Sequence, residues 1–219
     1  YVSDASDFPL KEFTSRNSAA SQAIGYGKTL MLWHMLRSEL GDELFIQGLR
    51  TLYSEYKYKR TSFADIENLF SSISGTDLSA FFDQWVNRVG APELSISVEE
   101  ATSNRARIIF AQTHFDAPYF LKVPVAIFYE DEEEPQLFDV DLSQKLEGFF
   151  VENYDRMEAV LVDPYFDVFR QLDREETPPT VGELFGSSRI AFILPDGNRQ
   201  HWVRLAEEFG GRSDFEILY

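Results

Sequence analysis

The feature that most constrains this chain is a change in the spacing of its apolar residues at about residue 93. Before that point they recur every three or four positions, as in helices with one buried face. After it they alternate, as in "LSISV" (Leu94, Ile96, Val98), "FLKVPVAIFYE" (Leu121, Val123, Val125, Ile127, Tyr129) and "FDVDL" (Phe138, Val140, Leu142). A period of two places successive side chains on opposite faces of a strand. With "RIIFAQT", "GFFVEN" and "AVLVDP" added, about seven short strands without intervening helices predict an antiparallel sandwich. Val123, Val125, Ile127, Val140 and Leu142 are expected on its inner face. "EDEEEP" (130–135) reads as a solvated loop between two strands, since unbroken glutamates and a proline do not make a shaped calcium loop.

The helical part opens after an extended lead-in over residues 1–16. A helix from about Ser18 to Leu40 is apolar nearly all round, with Ile24, Leu30, Met31, Leu32, Trp33, Met35, Leu36 and Leu40. Gly41 suits its end and Asp42 the cap of the next helix, which carries Leu44, Phe45, Leu49, Leu52, Tyr53 and Tyr56 on one stripe. Ser62 and Asp65 resemble a capping box ahead of Phe63, Ile66, Leu69, Phe70 and Ile73. A fourth helix follows Gly75 and buries Leu78, Phe81, Phe82 and Trp85.

Beyond the sandwich, "YFDVFRQLDREETPPTVGELFG" predicts a short amphipathic helix, a proline-containing connector and a helical turn. "RIAFILPDGNRQHWVRLAEEFGGRSDFEILY" predicts strand, turn, helix, strand, which is one βαβ unit. The fold class is therefore α+β. It comprises a helical bundle over 1–92, an antiparallel β-sandwich over 93–165, and a connector plus a partial βαβ unit over 166–219.

Charge and composition narrow the function. A net charge of −17 argues against nucleic acid or an anionic membrane surface as partner, because either needs a basic face. No apolar run is long enough for a spanning helix. With no cysteine, the chain forms no disulfide, iron–sulfur cluster or thiolate zinc site. The three histidines, His34, His114 and His201, lie far apart in sequence, and no H-E-x-x-H occurs. His34 is expected as a hydrogen-bonded core residue, with His114 and His201 at the surface. "LPDGNR" has one glycine and reads as a plain turn rather than a phosphate loop. No nucleophile elbow or Walker loop is present.

Tyr26, between Gly25 and Gly27, is the residue that could carry chemistry. A tyrosine hydroxyl beside glycines can face a cleft and donate to an oxyanion. On the residues alone, a buried tyrosine near a helix start is the favoured reading.

"AIGYGKTLMLWHMLRSELGDELFIQGLRTLY", followed by "SFADIENLFSSISGTDLSAFFDQWVNRVGAPEL", closely resembles the aminopeptidase N family of zinc metallopeptidases (gluzincins), in the segment just downstream of their zinc site. The resemblance covers about residues 15–98, and the sandwich fits the β domain that follows the family's catalytic domain. It implies that Tyr26 matches the family tyrosine that stabilises the tetrahedral oxyanion during peptide-bond hydrolysis. Thr29 stands where relatives often have Gly or Ala, and Phe81, Phe82 and Trp85 match packing positions.

It further implies a zinc-dependent aminopeptidase as the longer parent protein, with a peptide substrate and an N-terminal catalytic half before Tyr1 that supplies the zinc ligands. No cofactor or metal ligand is assigned to this chain itself. The alternative, from a different class, is a non-catalytic interaction module on a peptidase-derived scaffold. An H-E-x-x-H upstream of Tyr1, with a later glutamate on a second helix, separates the two. This chain alone is expected to hold no stoichiometric zinc. Metal analysis finding one zinc per purified chain, on side chains at about 2.0–2.3 Å, would overturn that expectation.

Overall fold

The computed structural model describes residues 2–3, 5–102, 104–130, 132–173, 176–177, 189–194, 199–210 and 214–218. The chain divides into two units, Tyr1–Leu172 and Asp173–Tyr219.

In the first unit, Ser18 and Ser21 cap one another. Each side-chain oxygen accepts the other residue's backbone N–H, at 3.1 and 2.8 Å, which satisfies two donors at the start of a helix. Helix α1 (Ala19–Gln22) runs directly into a π-helical turn, Ala23–Lys28, and then into α2 (Thr29–Tyr56). α2 is broken at Gly41, whose φ of 76° and ψ of 163° lie outside helical space, where the sequence expects one helix to end. Asp42 does not take up the expected capping role. Its carboxylate accepts two bonds from the Arg37 guanidinium, at 2.6 and 2.9 Å.

The Ser62–Asp65 capping box is present and opens α3 (Phe63–Ser74). The rings of Trp33, Phe45 and Phe70 meet between α2 and α3, with centroids about 6 Å apart. Leu30 and Tyr53 stand outside this packing and are exposed. α4 (Ser79–Phe82) leads into a second π-helical turn, Asp83–Asn87, which buries Gln84, Trp85 and Val86 in succession. Three consecutive buried residues mean that this turn is enclosed on most sides.

Six strands follow: β1 (Leu94–Thr102), β2 (Arg105–Gln112), β3 (Leu121–Tyr129), β4 (Gln136–Leu142), β5 (Leu146–Glu152) and β6 (Met157–Val162). They pair antiparallel in two three-stranded sheets, β1-β2-β5 and β4-β3-β6. Val123, Val125, Ile127 and Leu142 are buried as the alternation predicts, and Val140 is half-buried. Ile96 and Val98 pair with the buried Phe110 and Ile108 but stay exposed, because β1 is an edge strand.

Two glutamines hold the segment that enters β3, Gln84 from the helical part and Gln112 from β2. The Gln84 amide exchanges two hydrogen bonds with the Phe120 backbone, at 3.0 and 2.8 Å. The Gln112 amide does the same with Tyr119, at 2.9 and 2.7 Å. Tyr119 stacks on Trp85 with ring centroids 5.5 Å apart, so one hydrophobic core runs from α2 into the strands.

Residues 165–173 are not the helix that the pattern predicts. The Asp163 carboxylate accepts the Asp167 N–H at 2.6 Å and the Arg170 Nε–H at 3.0 Å, and these bonds fold the segment into turns. Gln171 then bridges to Glu93. The remaining connector and the "LPDGNR" turn fall largely outside the described residues. In the second unit β7 (Arg189–Ile193) pairs parallel with β8 (Asp214–Leu218), and α5 (Arg199–Gly210) lies between them in sequence, as a βαβ unit requires.

The Asp163 and Arg170 side chains are 0% and 1% exposed, so losing the carboxylate removes a charge partner of the guanidinium inside the core. Asp163→Ala is expected to cost about 3–5 kcal/mol in urea unfolding. A loss below about 1 kcal/mol, the range of exposed ion pairs, would show that the pair does not hold this segment.

Candidate active site

The π-turn Ala23–Lys28 presents the candidate residue. π-turns are rare and occur disproportionately at functional sites, because the extra residue re-aims side chains. Tyr26 projects from this turn and is 57% exposed. It borders an open depression shared with Arg16, Ala19 and Gln22. On its other side the ring meets Phe13 edge-on, at 5.9 Å and 75°.

The two flanking glycines have different causes. A Cβ on Gly25 would lie 2.2 Å from the Phe13 ring, so Gly25 is small to let the lead-in pack across the turn. Its small size therefore serves packing against Phe13, not space beside the hydroxyl. A Cβ on Gly27 would meet nothing within 4 Å.

Lys28 is the residue that sequence reasoning missed. It is only 4% exposed, and its Nζ donates to the Arg88 carbonyl at 2.7 Å. It also lies 5.7 Å from the centre of the Phe169 ring. Burial pulls its pKa down from 10.5 to about 8, with Asp7 opposing the shift and Arg88 adding to it. The signal was in the spacing, since Ile24, Lys28, Leu32 and Leu36 recur every four residues along one buried face.

The histidines do not converge. His34 is not in the core; it is partly exposed, with Nε2 2.7 Å from Asp167 Oδ1. His114 is half-buried against Tyr119, and His201 is exposed on α5. Among the described residues no three His, Cys, Asp or Glu side chains come together as a metal site. No helix among them is long and apolar enough to cross a membrane.

Comparison with known proteins identifies the surroundings of this turn. Residues 12–85 match the peptidase family M1 domain, a span that contains the π-turn and the helices that carry it. The helical part is similar to the aminopeptidase N (M1) family. Aminopeptidase N of Lactococcus lactis subsp. lactis is 32% identical over 132 residues, which are 60% of this chain and 14% of that protein. The mitochondrial aminopeptidase 2 of Saccharomyces cerevisiae is 29% identical over 109 residues, 50% of this chain and 11% of that protein. The chain thus spans about one-seventh of the M1 relatives' length or less.

The crystal structure of Legionella pneumophila aminopeptidase A in complex with aspartic acid superposes with a TM-score of 0.57 at 17% identity. That match covers 87% of this chain and 22% of the other. It shows that most of this chain shares the fold of the matched part of that protein.

The buried Lys28 makes a prediction about stability. Its pKa is about 8 in the fold and 10.5 in the unfolded chain, so between those values the unfolded chain holds more protons. Stability from this residue is therefore least below pH 8 and rises towards pH 10.5. Subtracting the unfolding free energy of Lys28→Met from that of the wild type cancels the other groups. The difference is expected to rise by on the order of 2–3 kcal/mol from pH 7.5 to 10. A flat difference in urea titrations would mean that the lysine is not desolvated.

Proposed function

We propose that this chain is part of a longer zinc-dependent, aminopeptidase-like M1 metallopeptidase, and that Tyr26 is its oxyanion-stabilising residue. The observation that carries this reading is the outward presentation of Tyr26. In the stretch that matches the M1 domain, a π-turn holds this ring at an open depression while Lys28, two residues on, points into the core.

A phenol there can do one thing in peptide-bond hydrolysis that a phenyl ring cannot. When water adds to the scissile carbonyl, the oxygen gains negative charge, and the hydroxyl donates a hydrogen bond to it. The open side at Gly27 leaves room for a peptide backbone to approach that hydroxyl. Among the described residues no cluster of His, Cys, Asp or Glu could hold a metal ion, and on this reading the rest of the longer protein would supply the zinc ligands. Zinc in this family polarises the carbonyl and activates the water. A peptide is the substrate class, and the missing catalytic half is the required partner.

In the longer protein, Tyr26→Phe is expected to lower kcat by about 10²–10³ with little change in KM, the magnitude for losing one oxyanion donor. The comparison is made at matched zinc content with an aminoacyl anilide. Equal activity would reduce Tyr26 to a packed aromatic. The chain alone is expected to cleave no such substrate, and turnover by the purified chain would show that its own residues complete a site.

A further inference from the structure

Tyr26 and Lys28 are two residues apart in one helical turn. At about 100° per residue, or somewhat less in a wider turn, two such side chains point in nearly opposite directions. The rotation of the turn about its own axis therefore links them, and where the amine is held decides where the phenol points. Among the described residues the amine has one acceptor, the Arg88 carbonyl, 2.7 Å away.

That carbonyl follows the second π-turn and is itself fixed. The Arg88 guanidinium donates to the Ala117 carbonyl and to the Pro118 carbonyl, the latter at 3.2 Å, and stacks over the Tyr119 ring at 3.5 Å. Tyr119 in turn donates its hydroxyl to the Val89 carbonyl at 3.1 Å. Asp7, the carboxylate that faces Lys28, accepts the Gly90 N–H at 2.6 Å. An apolar side chain would fill the space at position 28 at lower desolvation cost, yet could not choose one acceptor. A directional bond specifies the turn where packing alone would only accommodate it.

We propose that Lys28 is a positioning residue for Tyr26: its bond to the Arg88 carbonyl locks the π-turn, so the aim of the phenol is set at the junction with the sandwich. The catalytic consequence rests on the role proposed for Tyr26, whereas the mechanical link does not. A pocket of about 210 Å³ bordered by Ser3, Asp7, Lys28 and Phe169 gives the amine a route for its proton. Changing that proton's occupancy should therefore move the Tyr26 ring.

The test uses this chain with its terminal amine acetylated, labelled with ring-13C tyrosine and 13Cε lysine. The Tyr26 signal is assigned by its loss in Tyr26→Phe, and the Lys28 signal by its loss in the charge-keeping Lys28→Arg as well as in Lys28→Met. Both are expected to shift with one common midpoint near pH 8. Asp7→Asn, which removes the charge that holds the lysine up, should lower both midpoints together. In Lys28→Met the Tyr26 step should vanish. Separate midpoints, a Tyr26 signal without a step near 8, or an Asp7→Asn shift seen at Lys28 alone would each overturn the link, and these readings stand even if Lys28→Met does not fold.

In the longer protein, Lys28→Met is expected to lower kcat roughly 10–100-fold at near-constant KM, and to add little to Tyr26→Phe. A large loss in Tyr26→Phe with none in Lys28→Met would overturn the positioning role. A silent Tyr26→Phe alongside a shared titration would instead leave the anchor standing and reject the oxyanion reading.

Discussion

The first unit depends on how the backbone of Tyr119 and Phe120 is held. This short stretch enters β3 and is gripped from two sides by glutamine amides, Gln84 from the second π-turn and Gln112 from β2. Each amide presents a donor and an acceptor, so it satisfies an N–H and a C=O of one residue as a neighbouring strand would. A typical buried bond of this kind contributes only about 1 kcal/mol, but a backbone group left without its partner costs about 1–3 kcal/mol. The four bonds therefore act chiefly as a constraint on placement. They fix where the helices end relative to the strands, and the Arg88 segment that anchors Lys28 follows immediately.

Much of this architecture was legible in the sequence because it rests on periodicity and local chemistry. The alternation in "FLKVPVAIFYE" is a direct consequence of one face being dry, and Val123, Val125 and Ile127 are buried accordingly. The Ser62–Asp65 capping box and the break at Gly41 are decided within a few residues, so they too could be read in advance.

What was not legible depends on partners distant in sequence. Residues 165–173 carry a helical pattern, but the Asp163 carboxylate accepts the N–H groups of Asp167 and Val168 and the Arg170 guanidinium, and so holds the segment in turns. His34 meets Asp167, 133 positions away, rather than the core. The π-turn left no mark in composition, since it needs Phe13 above Gly25 and Arg88 beside Lys28. At the candidate site the identity of Tyr26 could be singled out, whereas its anchor could not. A lysine is ordinarily read as surface, and here the four-residue spacing of Ile24, Lys28, Leu32 and Leu36 outweighed that habit.

The edge-on contact of Phe13 with Tyr26 has an entropic consequence. An exposed tyrosine ordinarily samples several rotamers, and quenching them when a ligand arrives costs roughly 0.5–1.5 kcal/mol of binding. Here the lead-in lies over Gly25 and walls off one side of the ring as soon as the chain folds. Part of that ordering cost therefore falls on folding, where a whole core offsets it, and a ligand reaching the hydroxyl meets a ring with fewer orientations left to lose.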